Sequence, residues 1–490
     1  MKYLLGVDFG GGASKATLLD TDGNFVCDSS VEYPTHYPKS GYAEQNPDDW
    51  YKATCENIKQ ILNKSGINAS DITAVSLDAA THTAVLCDDE FNVLRPSVYW
   101  TDTRSVKEVE FLKQNYGEII DKQVLHTPDT IWSLPELLWI KNNEPYVWKK
   151  TRKILFAKDY VRHCLTGDYA TDFIEAEGSM LFDYNTLSWS KELLSILKLT
   201  PDMMPKIVKP TDITGRVLKK AAYDTGLCEG TPVLCGTTDT VAEVFASGGI
   251  APQKMTVKLA TAGRICVITD KPYKNKNLIN YSHFIDGLWY PGTATKSCAA
   301  SMRWYRDTFG GNFTELDNEA KTIDAGCSGL MFHPYLNGEL TPYADPDLCA
   351  SFTGIRAGHT RAHFARAVME GVAFSMLDCM TALNSIGIPC DSSAVIIGGG
   401  GKSALWRQIV ADCLGITLVR KKYSDSSLGS CMLAGIAAGV FNDACDAFKK
   451  CNKTVDETYP NEENHKKYKK LFKRYKAIHD ALAPVYGAEI

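Results

Sequence analysis

The sequence lacks the features of several specialised classes of protein. Its 490 residues carry 53 Lys and Arg against 58 Asp and Glu, a formal net charge of −5, and both signs are mixed along the chain. This pattern excludes the concentrated basic surface on which nucleic-acid binding depends. No stretch reaches the apolar length that crosses a bilayer, and the N-terminus shows no signal peptide. We therefore expect a cytoplasmic protein with neither a nucleic-acid nor a membrane partner.

The sequence also lacks a cysteine pattern that would indicate a metal site or a disulfide framework. Its 16 cysteines are scattered, with no Cys-x-x-Cys pair and no His and Cys cluster at zinc spacing. Most lie in apolar surroundings, as Cys235 and Cys266 do. We interpret them as reduced, buried thiols of an intracellular protein.

Strand and helix patterns alternate along the chain, which indicates the α/β class. Residues 3–25 read as a strand, a glycine turn, a strand, an Asp22-Gly23 turn and a third strand. Hydrophobic periodicity then predicts strands at residues 72–77 and 84–87, and helices at 47–63, 105–116, 134–142, 160–165, 404–414 and 462–482.

The first glycine turn combines groups of opposite charge. It reads GVDFGGGASK, with Asp8 before the glycines and Lys15 after them. Glycine turns after strands commonly bind phosphate, which a carboxylate repels. Mg²⁺ resolves the conflict, because it binds carboxylates and nucleotide phosphates together. The turn therefore predicts a metal beside Asp8, and Lys15 would add positive charge towards the phosphates.

A second hairpin of this kind lies in the later half of the chain. Residues 255–269 read as an apolar strand, a small-residue turn and another apolar strand. One such hairpin in each half suggests two related domains that face each other across a cleft. A third loop, VIIGGGGKS, precedes a helix with Ser403 as its N-cap. Its glycines suit either a close ligand approach or a tight strand-to-helix connection.

Asp239 is the second carboxylate to follow an apolar strand, and it opens a helix of small residues. An aspartate there caps the helix, and it is also a candidate general base; the two roles are compatible.

Further polar residues follow other strand patterns. His82 is either a hydrogen-bonded structural residue or a ligand of a sugar. Asp102 and Arg104 are either a helix cap and a solvated charge or sugar-binding groups. In the second case Trp100 or Trp132 would supply an aromatic floor.

Taken together, these stretches resemble the FGGY carbohydrate kinases of the actin and hexokinase ATPase superfamily, and within them most closely the xylulokinases. The resemblance covers essentially the whole chain. The stretches that carry it are, in order, GVDFGGGASKATLLD, GYAEQNPDDWY, AATHTAVL, VLRPSVYWTDTR, LLWIKNNEP, FAKDYVRHCLTGDYATD, CGTTDTVAEVFASG, PYLNGELTPYADP, ARAVMEGVAFSM and VIIGGGGKSALWRQIVADCLG.

The resemblance implies two ribonuclease-H-like α/β domains flanking a deep cleft, with a sugar-binding side at residues 1–246 and an ATP-binding side at residues 247–490. It implies ATP and Mg²⁺ as cofactors and a small sugar as the other partner; a homodimer is one alternative for the oligomeric state. The implied roles are a catalytic base for Asp239; metal association for Asp8 and Asp239; nucleotide binding for Gly10, Gly11, Gly12, Lys15, Thr261, Gly263, Gly399, Gly400 and Gly401; and sugar binding for Thr81, His82, Asp102, Arg104 and Asp239.

The chain also departs from the family pattern. Gly11 and Gly12 stand where the first phosphate hairpin usually has Thr or Ser, so backbone amides alone remain. In the second hairpin Ala260 replaces a glycine and Ala262 a hydroxyl, and Arg264 is a hypothetical substitute charge. The other departures are Asp78-Ala-Ala-Thr81 before the histidine, Glu136 for a usual Lys and Leu340 for a common Arg. These departures bear on the identity of the sugar.

The expected reaction is ATP-dependent phosphorylation of the terminal hydroxyl of a ketopentose, D-xylulose to D-xylulose 5-phosphate. One alternative is an FGGY kinase for another ketose or polyol, such as ribulose, erythritol or glycerol. Another is a weakly active homologue that binds sugar or nucleotide. The hydroxyl groups missing at Gly11, Gly12 and Ala262 favour this alternative. An actin-like filament protein is a weaker alternative, because the motifs on the sugar-binding side are not expected in a filament protein.

Overall fold

A computed structural model describes residues 1–275 and 277–487 of the chain. The chain divides into two compact units. Unit 1 comprises Met1–Ala246, Tyr281–Gly287 and Tyr423–Lys453, and unit 2 comprises Ser247–Asn280, Leu288–Lys422 and Thr454–Ile490. The division at residue 246 that the resemblance implies stays a prediction about the ligand-binding sides.

The described residues form an alternating series of strands and helices. The strands are β1 Tyr3–Phe9, β2 Ala13–Asp20, β3 Phe25–Glu32, β4 Glu44–Gln45, β5 Ile72–Ala79, β6 Ala84–Cys87, β7 Ser97–Val98, β8 Lys153–Phe156, β9 Ala170–Asp172, β10 Phe182–Asp183, β11 Ser188–Trp189, β12 Lys206–Val208, β13 Ile213–Arg216, β14 Pro232–Leu234, β15 Thr237–Thr238, β16 Met255–Leu259, β17 Gly263–Val267, β18 Gly292–Thr295, β19 Met331–His333, β20 Ser351–Thr353, β21 Ser393–Ile397, β22 Thr417–Lys421 and β23 Thr454–Thr458. The helices are α1 Pro47–Ser65, α2 Val106–Gln123, α3 Ser133–Asn143, α4 Pro145–Lys150, α5 Ala157–Thr166, α6 Phe173–Gly178, α7 Lys191–Leu197, α8 Lys219–Thr225, α9 Asp239–Ala246, α10 Ala299–Phe309, α11 Phe313–Lys321, α12 Arg361–Ser385, α13 Ala404–Leu414, α14 Ser426–Ala437, α15 Ala444–Cys451 and α16 Glu462–Tyr486. Short 3₁₀ turns occur at Ala69–Asp71, Pro201–Met203, Cys327–Gly329 and Gly399–Lys402.

Each unit has one large mixed sheet, and the two sheets share a topology. In unit 1 the order is β13-β14-β5-β1-β2-β3, with β15 paired to β5. In unit 2 the order is β18-β17-β16-β21-β22-β23. Each sheet has an antiparallel three-stranded meander whose first strand pairs in parallel with a later strand, followed by one more parallel and one antiparallel partner. The predicted pair of related α/β domains is therefore confirmed at the level of strand order and direction.

Most predicted elements form where the sequence pattern placed them. Helix α13 covers the predicted residues 404–414, and the Ser403 hydroxyl accepts from the amide of Trp406 as its N-cap. Helix α1 begins after Asn46, whose side chain caps it. Helix α2 runs to Gln123, seven residues beyond the predicted end at 116, and ends without a glycine cap. Cys235 and Cys266 are buried, as predicted.

Helix α14 lies against the sheet of unit 1, although it is far along the chain. Its Ser427 hydroxyl is 2.8 Å from the hydroxyl of Thr17 on β2, and the Cys431 thiol donates to the backbone oxygen of Thr17. The helix thereby packs over β1 and β2. Across residues 1–275 and 277–487, we find no helix with the length and apolar character that a membrane span requires.

Candidate active site

The carboxyl ends of β1, β5 and β15 place four polar residues in one row across the sheet of unit 1. Asp8 pairs in register with Asp78 on β5 and with Lys15 on β2, and Asp78 pairs with Thr237 on β15. Register partners project from the same face of a sheet. The row therefore joins the first glycine turn to the segment that leads into Asp239.

Asp8 carries a negative charge that the protein only partly compensates. The side chains of Asp78 and Ser426 lie close enough to favour its ionised form, although less than burial opposes it. Its Oδ1 atom is buried and has no hydrogen-bond partner within the described part of the chain. Burial, and next the charge of Asp239, raise the pKa of Asp8 to about 7. An oxygen ligand with excess negative potential suits a hard divalent cation.

Asp78 is fully buried beside Asp8 and shares its environment. Its Oδ2 atom accepts a hydrogen bond from the Ser430 hydroxyl of α14. Burial, and then the neighbouring Asp8 charge, raise the pKa of Asp78 well above its ordinary value. Two buried carboxyl groups this close disfavour two charges, and Asp78, whose pKa lies well above its ordinary value, is the group that keeps its proton.

Asp239 is the first residue of α9 and lies at a sharp bend of the chain. Gly236, with φ of 74°, makes this bend, and a Cβ there would lie 1.9 Å from the Leu77 oxygen. The Asp239 Oδ1 atom accepts from the Thr240 amide at 2.6 Å and from the Thr81 hydroxyl at 3.4 Å. Asp239 is therefore the first helical residue and not the predicted cap, because the Thr238 hydroxyl accepts from the Val241 amide at 3.4 Å in the N-cap position. The Asp239 carboxylate contacts the loop that holds the predicted sugar ligands.

The first glycine turn is held through its carbonyl oxygens. The Gly10 oxygen accepts from the Tyr33 hydroxyl, and the Gly11 oxygen accepts from Thr35 at 3.0 Å and from Gln45 at 2.9 Å. In residues 1–275 and 277–487, we find no acceptor for the amides of Gly11 and Gly12. Because these amides are exposed, the turn retains donors for an anion despite its missing hydroxyls.

Lys15 lies next to this turn and forms an ion pair with a residue far along the chain. Its Nζ atom is 2.6 Å from Asp425 Oδ2, and the side chains are 29% and 55% exposed. Asp425 immediately precedes α14. An ion pair this exposed is weak, so Lys15 can leave Asp425 for a phosphate at little cost.

The Thr81-His82 turn is a strained and buried part of unit 1. His82 has a φ of 56°, in the left-handed region. Its amide donates to Glu175, and its backbone oxygen accepts from the Ser133 hydroxyl. The His82 ring lies 4.8 Å from the ring of Trp132. Burial lowers the pKa of His82 to about 3, so the imidazole is neutral and its Nδ1 atom has no partner in the part of the chain that the structure describes.

Asp102 and Arg104 form a buried ion pair rather than a helix cap and a solvated charge. Arg104 Nη2 is 2.7 Å from Asp102 Oδ2, and Arg104 Nη1 is 2.8 Å from Glu44 Oε1. Both side chains of the pair are at most 2% exposed. Helix α2 starts at Val106, too late for Asp102 to cap it. That interpretation was wrong because the guanidinium is neutralised by its near neighbour Asp102 and by Glu44 of β4, 60 residues away in the sequence.

In unit 2 the second hairpin and the third loop contact each other. The backbone oxygens of Ala260 and Thr261 accept from the amides of Ala299 and Cys298, at the start of α10. Gly398, with φ of 87°, lies so close to β16 that a Cβ there would meet the Leu259 oxygen at 2.6 Å.

The three glycines of the third loop differ in exposure. Gly399 is exposed, whereas Gly400 and Gly401 are buried. A Cβ on Gly399 would meet no atom within 4 Å. Gly263 begins β17 and is buried. Of the third loop, Gly399 therefore presents open backbone, and its two neighbours serve close packing.

Sequence reasoning missed the acidic residues that support the predicted site. Glu175 accepts from the His82 amide, and Glu177 accepts from the Ser282 amide and hydroxyl. Asp425 and Ser426 reach the first glycine turn from the start of α14. The stretch FIEAEG offers a local signal for the two glutamates, since it puts two acids in a helix that is otherwise apolar. No local signal exists for Asp425 and Ser426.

Comparison with known proteins identifies the family. A family model for the N-terminal domain of the FGGY family of carbohydrate kinases matches residues 3–246, and the C-terminal domain model matches residues 265–438. The chain belongs to the FGGY family of carbohydrate kinases. As a member of this family the protein is a sugar phosphotransferase, and the predicted fold and enzyme class are confirmed.

Relatives and solved structures cover nearly the whole chain. The xylulose kinase of Staphylococcus xylosus is 33% identical over 98% of this chain and 100% of its own. A ligand-bound xylulose kinase from Lactobacillus acidophilus superimposes with a TM-score of 0.93 at 27% identity, covering 99% of both chains. A gluconate kinase from the same organism reaches a TM-score of 0.92 at 28% identity, again covering 99% of both chains. Similarity therefore fixes the kinase family and leaves the sugar open.

Proposed function

We propose that this FGGY kinase transfers the γ-phosphoryl group of ATP to the terminal hydroxyl of a ketopentose, converting D-xylulose to D-xylulose 5-phosphate. The observation that carries the proposal is the meeting of Asp239, Thr81 and the Asp8 row at one edge of the sheet of unit 1. The choice of D-xylulose is supported by the xylulose kinases among the similar proteins.

Asp239 is the proposed general base. Its Oδ1 atom is engaged by the Thr240 amide and the Thr81 hydroxyl, which fix the carboxylate in one orientation. The carboxylate accepts the proton of the attacking sugar hydroxyl as the bond to phosphorus forms. Beyond this base, catalysis of phosphoryl transfer depends mainly on positioning the two substrates and stabilising the negative charge of the transition state.

The carboxylates of Asp8 and Asp239 fit a divalent cation such as Mg²⁺. The buried Oδ1 atom of Asp8 has no hydrogen-bond partner among the described residues, and the charge of Asp239 adds to the negative potential around it. When bound there, Mg²⁺ would neutralise negative charge on the phosphates.

The nucleotide phosphates are assigned to glycine turns. In unit 1 we propose Gly10, Gly11, Gly12 and Lys15, supported by the two amides without acceptors and by the weak Lys15 ion pair. In unit 2 we propose the residues that the family resemblance implies, which are Thr261, Gly263, Gly399, Gly400 and Gly401. Exposed backbone at Gly399 supports this assignment directly. Gly400 and Gly401 would act by shaping the loop.

The sugar is assigned to Thr81, His82, Asp102 and Arg104, together with Asp239. The neutral His82 ring has an Nδ1 atom with no partner among the described residues, and this atom can form a hydrogen bond with a hydroxyl. Asp102 and Arg104 neutralise each other, so they would shape the pocket more than charge it. We place the enzyme in the cytoplasm, where ATP is available and its many cysteines stay reduced.

A panel of sugars with a coupled ADP assay tests the proposal. We expect D-xylulose to give the highest kcat/KM, with ³¹P NMR showing a phosphate on the terminal oxygen. Gluconate is the second candidate, favoured by the gluconate kinase structure of the same fold. Asp239→Asn should reduce kcat by at least about a thousandfold and leave ATP binding intact.

Asp443→Asn is the control, because Asp443 is likewise an aspartate at the start of a helix, α15, and is exposed. Full turnover by Asp239→Asn would remove Asp239 from its role. A higher kcat/KM for another sugar would replace D-xylulose as the substrate.

A further inference from the structure

A buried cluster of three paired charges joins α5 to β9 in unit 1. Lys158 of α5 is 2.9 Å from Asp172 Oδ2 and 2.6 Å from Asp159 Oδ1, and all three side chains are fully buried. Burying an isolated charge costs free energy because the charge loses its hydration. Buried charges are therefore retained where ion pairs and hydrogen bonds offset this cost, or where their arrangement has a function.

Asp172 ends β9, and its Oδ1 atom connects this strand to α6 and to β15. Its Oδ1 accepts from the amides of Ile174 and Glu175 at 3.0 and 3.3 Å, which makes it the N-cap of α6. The same atom accepts from the Thr237 hydroxyl on β15 at 3.4 Å. Thr237 stands two residues before the proposed base, so one carboxylate links the start of α6 to the segment that carries Asp239.

The other end of this arrangement is the His82 turn. Glu175, on the first turn of α6, accepts the hydrogen bond from the His82 amide. A non-glycine residue with positive φ is strained, and it persists only where its surroundings determine it. Burial raises the pKa of the Glu175 carboxyl well above its ordinary value, so its accepting oxygen does not depend on ionisation.

We propose that Lys158, Asp172 and Glu175 form a positioning network that fixes the His82 turn and the Thr237–Thr238 strand in one arrangement. None of the three touches the reacting atoms in this scheme. They act through α6, by holding one turn that contacts sugar and one strand that leads to the base. The proposal rests on the proposed roles of His82 and Asp239. Such pre-positioning matters because small displacements of reacting groups cost large factors in rate.

The network and a merely structural role differ in what they predict for neighbouring residues. Glu177 lies on the same helix, is equally buried and accepts two hydrogen bonds from Ser282. Within the described residues its side chain forms no hydrogen bond with the His82 turn or with Thr237, so it is a control for damage to α6.

The first experiment compares Glu175→Leu, Glu175→Gln and Glu177→Leu in the full-length enzyme. Glu175→Leu removes the acceptor, and we expect KM for the sugar to rise about tenfold or more. Glu175→Gln keeps an accepting oxygen and should restore KM to near the wild-type value. Glu177→Leu should leave KM for the sugar within about twofold of wild type.

A second measurement does not depend on turnover. With fluorotryptophan incorporated, the ¹⁹F resonance of Trp132 reports on the ring packed 4.8 Å from His82. Trp132→Phe assigns this signal. We expect it to shift in Glu175→Leu and to keep its position in Glu175→Gln. Absence of sugar-dependent ADP release by the wild-type enzyme would contradict the proposed function. The ¹⁹F signal would then still test whether Glu175 holds the His82 turn.

Thr237→Val tests the contact between Thr237 and Asp172. It also replaces the first experiment if Glu175→Leu does not fold. The change keeps the shape and removes the hydroxyl that donates to Asp172, so kcat should fall about tenfold while KM for the sugar stays unchanged. Wild-type kcat in Thr237→Val would overturn the proposal. So would an unshifted Trp132 signal in Glu175→Leu.

Discussion

Asp8 and Asp78 are register partners on the parallel strands β1 and β5, and the charge of Asp8 adds to burial in raising the pKa of Asp78 well above its ordinary value. Asp8 is the partly exposed member, and Asp78 lies fully buried beneath α14, where Ser430 donates to it. The pair therefore places an ionisable carboxyl group at the edge of the sheet beside a protonated one. Under the proposed function, a cation bound by Asp8 would allow an acid to stand beside a turn that binds phosphate.

The pair predicts different consequences for its two members. Asp8→Asn should raise the Mg²⁺ concentration for half-maximal rate by about tenfold, because an amide oxygen is a weaker ligand than a carboxylate. Asp78→Asn is the control, since an amide imitates the neutral acid and should leave the Mg²⁺ requirement near wild type. Titration of the ADP-release rate with Mg²⁺ measures both. An unchanged requirement in Asp8→Asn would show that Asp8 has no contact with the metal.

We expect Lys15 to contribute more to ATP binding than to the free energy of unfolding. Lys15→Met should raise KM for ATP by about threefold to tenfold, because it removes a positive charge beside the glycine turn. Asp425→Asn leaves Lys15 charged and should lower KM for ATP or keep it unchanged, with a loss in free energy of unfolding below about 1 kcal/mol. Steady-state kinetics and urea unfolding test the two variants. If both variants raise KM equally, the ion pair itself would be the functional unit.

The missing hydroxyls of the first turn can be restored at one position and not at the other. A Cβ on Gly12 has its nearest neighbour at 4.0 Å, whereas a Cβ on Gly11 would lie 2.8 Å from the Tyr99 hydroxyl. Gly12→Thr should therefore fold normally and lower KM for ATP, by about twofold to fivefold for one added hydrogen bond. Gly11→Thr should lose stability and recover part of it with Tyr99→Phe. Thermal unfolding and KM for ATP measure these effects, and an equal tolerance at both positions would contradict the packing argument.

Glu177 should make the fold less stable as pH rises. Burial raises its pKa from an ordinary 4.5 to about 7, so between these values the folded state holds more protons than the unfolded state. Its contribution is full below pH 4.5 and is lost as pH rises through 7, a change of up to about 3 kcal/mol. Glu177→Gln should remove this loss between pH 5 and 8 in urea unfolding. Glu118→Gln, an exposed change on α2, should follow the wild-type slope.

The sequence pattern predicted a large part of the fold because those elements depend on neighbouring residues. Helix α13 with its Ser403 cap, and the hairpin of β1 and β2, follow from periodicity and turn residues within a short window. The family was recognisable from motifs of the same local kind. Helix α2 extended beyond its predicted end because its later buried residues, Ile120 and Gln123, pack against neighbours that no local pattern reveals.

The sequence by itself determined the two phosphate-type hairpins, the acids after strands and the family, since each is a pattern within one segment of chain. Only the tertiary structure decided that Lys15 pairs with Asp425, 410 residues away, and that Asp78 lies beside Asp8. It also decided that Glu175 holds the His82 turn and that Arg104 is neutralised by Asp102 and Glu44. The physical reason is that sheet register and helix docking set these contacts. Both depend on burial shared between distant segments, and no single segment encodes them.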